Sequence, residues 1–329
     1  MQQAIFRHVI MIAFYPLVTH RTLCDVGVSL AQPFDLERLP RPPHDLPSVG
    51  IRDNAEDCVV ARGTGALHHL LARQSTGKGS FAELDRGNMK GDSMDKTSFG
   101  RTGLNVSRLT FGCGAVGGLM TRGEGADQDY AVAWARDNGI NFFDTAASYG
   151  DGASETNLGR ALGGNTDGIV VSTKVGLNEP DLSDVAGAVR RSIDASLTRL
   201  NLDHVDIFQL HNTIGRSDRH GTLSADQVLA DVVPAFDKLR DTGKTRFFGF
   251  TAKGEPGQVR RLVESGAFDS AQVFYNLLVP TAGEALPAGY PAEDYRQLLN
   301  VAEQHGVGAI GVRVLAGGAL SGSEARHPL

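Results

Sequence analysis

From about Thr97 onward, short runs of β-branched and aromatic residues alternate with longer stretches of helical period, and glycine separates them. The pattern predicts strands at 109–113, 140–144, 169–173, 205–210, 246–250, 271–275 and 307–314. Helices fall between them, at 127–138, 154–162, 184–200, 224–243, 256–266 and 293–305. Within 184–200, Val185, Val189, Ile193, Leu197 and Leu200 share one stripe, as packing against a sheet requires. Ser224 and Gln227 have capping-box spacing, and Pro234 predicts a kink in the helix they open. Pro256 suits a first helical turn. Strands joined by crossovers must pair in parallel. Their runs are apolar on both faces, so both faces are covered. Two folds satisfy this: a (β/α)8 TIM barrel and a doubly wound open sheet.

The first 93 residues follow no such pattern. The run 9–18 (VIMIAFYPLV) is too short to span a bilayer and contains Pro16. No small-x-small cleavage site follows it, so a signal peptide is not expected and the chain is placed in the cytoplasm. Residues 32–47 are proline-rich, 66–73 suit a short helix, and 74–95 are polar and rich in Gly and Ser. The expected division is an unstructured leader, or sequence upstream of a true start at Met94, over 1–93, and a folded domain over 94–329.

Composition narrows the class. The 38 acidic and 32 basic side chains give a net charge of -6, which argues against a nucleic-acid partner. Forty glycines without a G-X-Y period indicate many tight turns. Cys24, Cys58 and Cys113 are odd in number and far apart, which excludes a disulfide scaffold and offers no zinc motif. No membrane partner is expected.

Gly112-Cys113-Gly114-Ala115-Val116-Gly117 matches G-x-G-x-x-G after a strand. In a dinucleotide-binding Rossmann unit the helix begins inside that motif and faces the phosphates. Here the helical pattern starts only near Asp127, so the match counts as incidental.

The ends of three consecutive strands carry a more specific set. Asp144 closes the second strand and Tyr149 follows in its loop; Lys174 closes the third and His211 the fourth. Taken singly, each has an ordinary structural reading as turn former, rim aromatic, solvated charge or packed imidazole. In a barrel they converge on one mouth, where barrel chemistry sits. A phenol is a weak acid, with a pKa near 10. A neighbouring ammonium is expected to lower that value, with a carboxylate holding the ammonium. A neutral imidazole can orient a carbonyl oxygen. Together they form a proton donor aimed at an oxygen that gains negative charge.

These residues resemble the aldo-keto reductase family. The stretch 142–150 (FFDTAASYG), continued by 154–162 (SETNLGRAL), is similar to its signature. Ser172-Thr173-Lys174 and 206–211 (DIFQLH) resemble the next two blocks. Residues 100–107 resemble its barrel-capping hairpin, and 243–249 and 272–276 its fifth and sixth strands. The resemblance implies a TIM barrel and reversible reduction of an aldehyde or ketone with NADPH, NAD being admitted. It assigns Tyr149 as general acid, Lys174 as its partner, Asp144 as the partner of Lys174, and His211 as substrate orienter. Gln272 matches the side chain that holds the nicotinamide carboxamide. A Ser-Asn pair common in the family reads Thr251-Ala252 here, leaving Thr251 alone with a polar group. Arg313 stands where many members stack a tyrosine on the nicotinamide, and 314–318, with Gly317, would approach the pyrophosphate. Some relatives of this fold are cofactor-sensing regulatory subunits of membrane complexes, which gives a second reading; an inactive fragment is a third. The polar loop 212–222 suggests a hydroxylated, sugar-like substrate.

Only seven strands are expected in 94–329, one short of closure. Within 1–93 the run 58–61 is the single candidate for an eighth, and it lacks a partner helix. The expectation is therefore a truncated barrel with two open edges and a weakened cofactor cleft.

Overall fold

The computed structural model describes residues 9–13, 94–114, 117–216 and 221–320. The predicted leader features at 32–47, 58–61, 66–73 and 74–93 lie outside the described residues.

The seven expected strands are present as β4 (Leu109–Gly112), β5 (Phe142–Asp144), β6 (Val170–Val175), β7 (Val205–Leu210), β10 (Thr245–Ala252), β11 (Ser270–Phe274) and β12 (Gly308–Val312). The antiparallel hairpin of β2 (Lys96–Ser98) and β3 (Asn105–Ser107) precedes them. The two-residue strands β8 (Thr213–Ile214) and β9 (Thr222–Leu223) pair after β7. The seven form one parallel sheet in sequence order, which selects the barrel over the doubly wound sheet.

The open edges, in contrast, are not found. A further strand, β1 (Val9–Ala13), lies between β12 and β4 and pairs in parallel with both, so the sheet closes. Val9 is in register with Ala309, and Met11 with both Gly311 and Leu109. The apolar run read as a failed targeting signal is also short and partly β-branched, the composition of a central barrel strand.

Helices Gly125–Asp137, Ala153–Leu162, Val185–Leu200, Pro256–Glu264 and Leu298–Gln304 match the expected positions, with the last one beginning later than predicted. The helix opened by Ser224 does not simply kink. It widens into a π turn at Val228–Val232 and resumes at Val233–Arg240, so the missing N–H of Pro234 falls where the ladder is already broken. The capping box forms, with the Gln227 N–H donating to Ser224 Oγ at 3.1 Å.

Two apolar clusters hold the barrel. The outer one packs helices on the sheet through Val189, Ile193, Phe208, Phe236, Phe248 and Leu262. The inner one fills the N-terminal end of the barrel with Phe99, Val106, Phe142, Val170, Ile207 and Ile310. Phe99 is fully buried and meets Phe142 edge-on at 5.7 Å. Burying such a ring contributes roughly 1.5–3 kcal/mol. Gly308 is needed beneath it, since a Cβ there would lie 2.7 Å from the Phe99 ring. Asn141 ties the hairpin on, accepting from the Ser107 N–H at 2.6 Å and donating to the Asn105 carbonyl at 3.0 Å. This plug closes the base and leaves the C-terminal end for chemistry.

Candidate active site

Strand register builds the site. Asp144, at the end of β5, lies beside Ser172; Lys174, near the end of β6, lies beside Gln209 of β7. His211 directly follows β7. Tyr149 sits in the loop after β5, where Gly150 has φ 62° and a Cβ would lie 3.0 Å from Thr121. The loop is anchored at its far end. Thr145 Oγ1 and Ser154 Oγ share a 2.8 Å hydrogen bond, and Ser154 Oγ donates to the Cys113 carbonyl at 2.9 Å. Glu155, fully buried, accepts from Thr173 and from Arg199 Nε at 2.6 Å, locking the following helix to β6 and to helix Val185–Leu200.

The Lys174 ammonium is the centre. It is buried and donates to Asp144 Oδ2 at 2.7 Å and to the Thr145 carbonyl at 2.6 Å. It also lies 4.7 Å from the centroid of the Tyr149 ring. The His211 ring meets Tyr149 edge-on at 5.8 Å, and His211 Nδ1 shares a 3.3 Å hydrogen bond with Ser148 Oγ. Tyr149 and His211 are half-buried, so both face the mouth while Asp144 and Lys174 lie beneath.

Charge and burial compete here. Burial pushes the Lys174 ammonium down, but Asp144 and then Tyr149 outweigh it and leave its pKa above the usual lysine value. Burial pushes the Tyr149 phenol up, and the opposing pull of Lys174 does not cancel this. The net direction is upward, opposite to the lowering expected from an adjacent ammonium, because that expectation omitted the depth of the ring. Burial pushes the His211 imidazole down to about 3, helped by the charges of Lys174 and Lys253. The imidazole is therefore neutral at ordinary pH.

Of the remaining candidates, Thr251 and Gln272 are adjacent in register and both buried. Thr251 Oγ1 donates to Gln272 Oε1 at 3.3 Å, while Gln272 Nε2 has no partner among the described residues. Arg313 follows β12 with φ 58°, and its guanidinium lies over Phe274 at 5.2 Å from the ring centroid. Gly317 has φ 67° within the turn Ala316–Gly318. Ser172, Gln209 and Thr145 were not singled out by sequence, although all contact Asp144 or Lys174. The period of two places Ser172 on the face of Lys174 and Gln209 on the face of His211, which was the available signal.

The G-x-G-x-x-G stretch starts at the end of β4 and precedes a single helical turn, Leu119–Arg122. That turn lies earlier than the predicted helix start near Asp127, but it still begins outside the motif. The barrel topology removes the Rossmann reading. Among the described residues no helix is long and apolar enough to cross a membrane.

A parallel barrel with a buried Lys-Asp pair under a tyrosine and a histidine at its C-terminal mouth defines the class of molecule. Residues 108–328 match the model of the Aldo/keto reductase family, and the chain belongs to that family. It is similar to L-galactose dehydrogenase of Arabidopsis thaliana, at 41% identity over 160 residues, 47% of each chain. The chain thus spans about half the length of that relative. An aldo-keto reductase structure from Pseudomonas aeruginosa shares 30% identity, with a TM-score of 0.52 over 68% of this chain and 79% of that one. A Klebsiella pneumoniae aldo/keto reductase in complex with NADP and acetate, 24% identical, shares the fold at a TM-score of 0.52 over 69% and 70% of the two chains.

Proposed function

We propose that the barrel serves for reversible, NADPH-dependent reduction of an aldehyde or ketone to an alcohol, with Tyr149 as proton donor. The observation that supports this best is the position of the Lys174 ammonium, 2.7 Å from Asp144 Oδ2 and 4.7 Å from the Tyr149 ring centroid.

The residues at the mouth fit a nicotinamide. Thr251 occupies the Gln272 carbonyl oxygen, so the unpartnered Gln272 Nε2 remains to donate to a carboxamide. Arg313 offers a planar cation at the rim, and Gly317 a backbone position without a side chain, for the ring and the pyrophosphate. When bound, the reduced nicotinamide supplies a hydride to the carbonyl carbon.

The chain's own groups handle the oxygen. Tyr149 holds its proton firmly because its phenol is largely desolvated, and gives it up as negative charge develops on the carbonyl oxygen. Lys174 stabilises the phenolate left behind, and Asp144 keeps the ammonium in place. His211, neutral, donates from Nε2 to the same oxygen when Ser148 donates to Nδ1. Similarity to L-galactose dehydrogenase supports a hydroxylated, sugar-like substrate.

The test is steady-state turnover of an aldehyde and sugar panel with NADPH or NADP by the full chain and by Tyr149→Phe. Turnover that Tyr149→Phe abolishes supports the proposal. Turnover that survives the substitution rejects the assigned acid. NADPH binding without turnover favours the regulatory-subunit reading.

A further inference from the structure

The two oxygens of Asp144 are used differently. Among the described residues Oδ2 accepts from Lys174 alone, at 2.7 Å. Oδ1 accepts from two neutral donors, Ser172 Oγ at 2.6 Å and Gln209 Nε2 at 3.0 Å. Both donors are fully buried inside the barrel. Gln209 obtains this bond at a cost: its Oε1 is buried without a partner among the described residues. An unsatisfied buried acceptor destabilises a fold, and an apolar side chain of equal length would avoid it. The carboxamide is thus poorly explained by packing.

We propose that Gln209, with Ser172, is a positioning residue that fixes the Asp144 carboxylate so that one oxygen alone remains for Lys174. The inference rests on the functional reading above. Two N–H or O–H dipoles on Oδ1 draw carboxylate charge away from Lys174. The ammonium then keeps more of its charge for the Tyr149 phenolate. Without Gln209, Asp144 neutralises Lys174 more fully and can rotate about its last bond. The phenolate is then less stabilised.

The experiment compares the full chain with Gln209→Met, which keeps length and apolar volume but removes the donor, and with Ser172→Ala, which removes the other donor to the same oxygen. For each, pH profiles of kcat and KM are measured for carbonyl reduction, beside thermal melting. The expected result is a fall in kcat of roughly tenfold with KM unchanged, and a shift of the alkaline limb of kcat to higher pH. Ser172→Ala should move the limb in the same direction, and carries the test if Gln209→Met does not fold. Unchanged kcat and an unmoved limb, or a change confined to KM and melting temperature, overturn the proposal. Absence of turnover in the unsubstituted chain removes the functional reading itself, and this inference with it.

Discussion

The two ends of the barrel interior are built on opposite terms. At the base, Phe99, Phe142, Ile207 and Ile310 are apolar, fully or nearly fully buried, and interdigitated under the hairpin. Nearer the C-terminal ends of the barrel strands, Asp144, Ser172, Lys174, Gln209 and Gln272 are also buried but polar. Gln209 and Gln272 there each leave an atom unpaired among the described residues. Burial at the base stabilises the fold; burial at the mouth raises the strength of each electrostatic contact and costs stability. The strands therefore pass from a stabilising half to a chemical half within one or two pleats.

That contrast can be broken by substitutions that should affect one half alone. Tyr149→Phe should lower kcat by about 10²–10⁴ fold while leaving the melting temperature within a few degrees of the unsubstituted chain. Matching losses of kcat and of stability would contradict the division. Phe99→Ala should do the reverse, costing about 3–5 kcal/mol in denaturant unfolding with turnover per folded molecule preserved. Arg199→Ala tests the anchor between the halves. It leaves Glu155 buried with Thr173 as its remaining donor, and should cost about 3 kcal/mol. A change below roughly 0.5 kcal/mol would mean the pair holds nothing in place.

The smallest effect is a pH dependence of stability. His211 has a folded pKa of about 3, below its unfolded value of about 6.5. Unfolding then takes up a proton between those values, so the contribution is complete above about pH 6.5 and is lost as pH falls toward 3. Melting temperatures measured across that window should decline less steeply in His211→Gln than in the parent chain. Parallel curves would argue that the imidazole is more solvated than its surroundings indicate.

Much of this was legible in the sequence because it is local. Strand and helix positions follow from runs such as Val205–Leu210 and Val185–Leu200, whose period needs no partner to be read. Asp144, Lys174 and His211 were found because each sits at the end of such a run. What was not legible depends on neighbours across the sheet. Gln209 contacts Asp144 from a strand 65 residues further along the chain. The upward shift of Tyr149 depends on how deeply its ring is enclosed, which spacing does not reveal. Strand β1 was overlooked because its pairing partners are β4 and β12, and nothing around Val9–Ala13 predicts either.

The placement of β1 has a consequence for assembly. This segment precedes the other barrel strands in the chain, yet one of its hydrogen-bonded edges meets Ala309 of β12, the last of them. The seam can thus be zipped shut only once β12 has been made, and the entropy of that long closure grows only slowly with length. Among the strands of the barrel, the first in chain order has to wait for the last before both of its edges are paired.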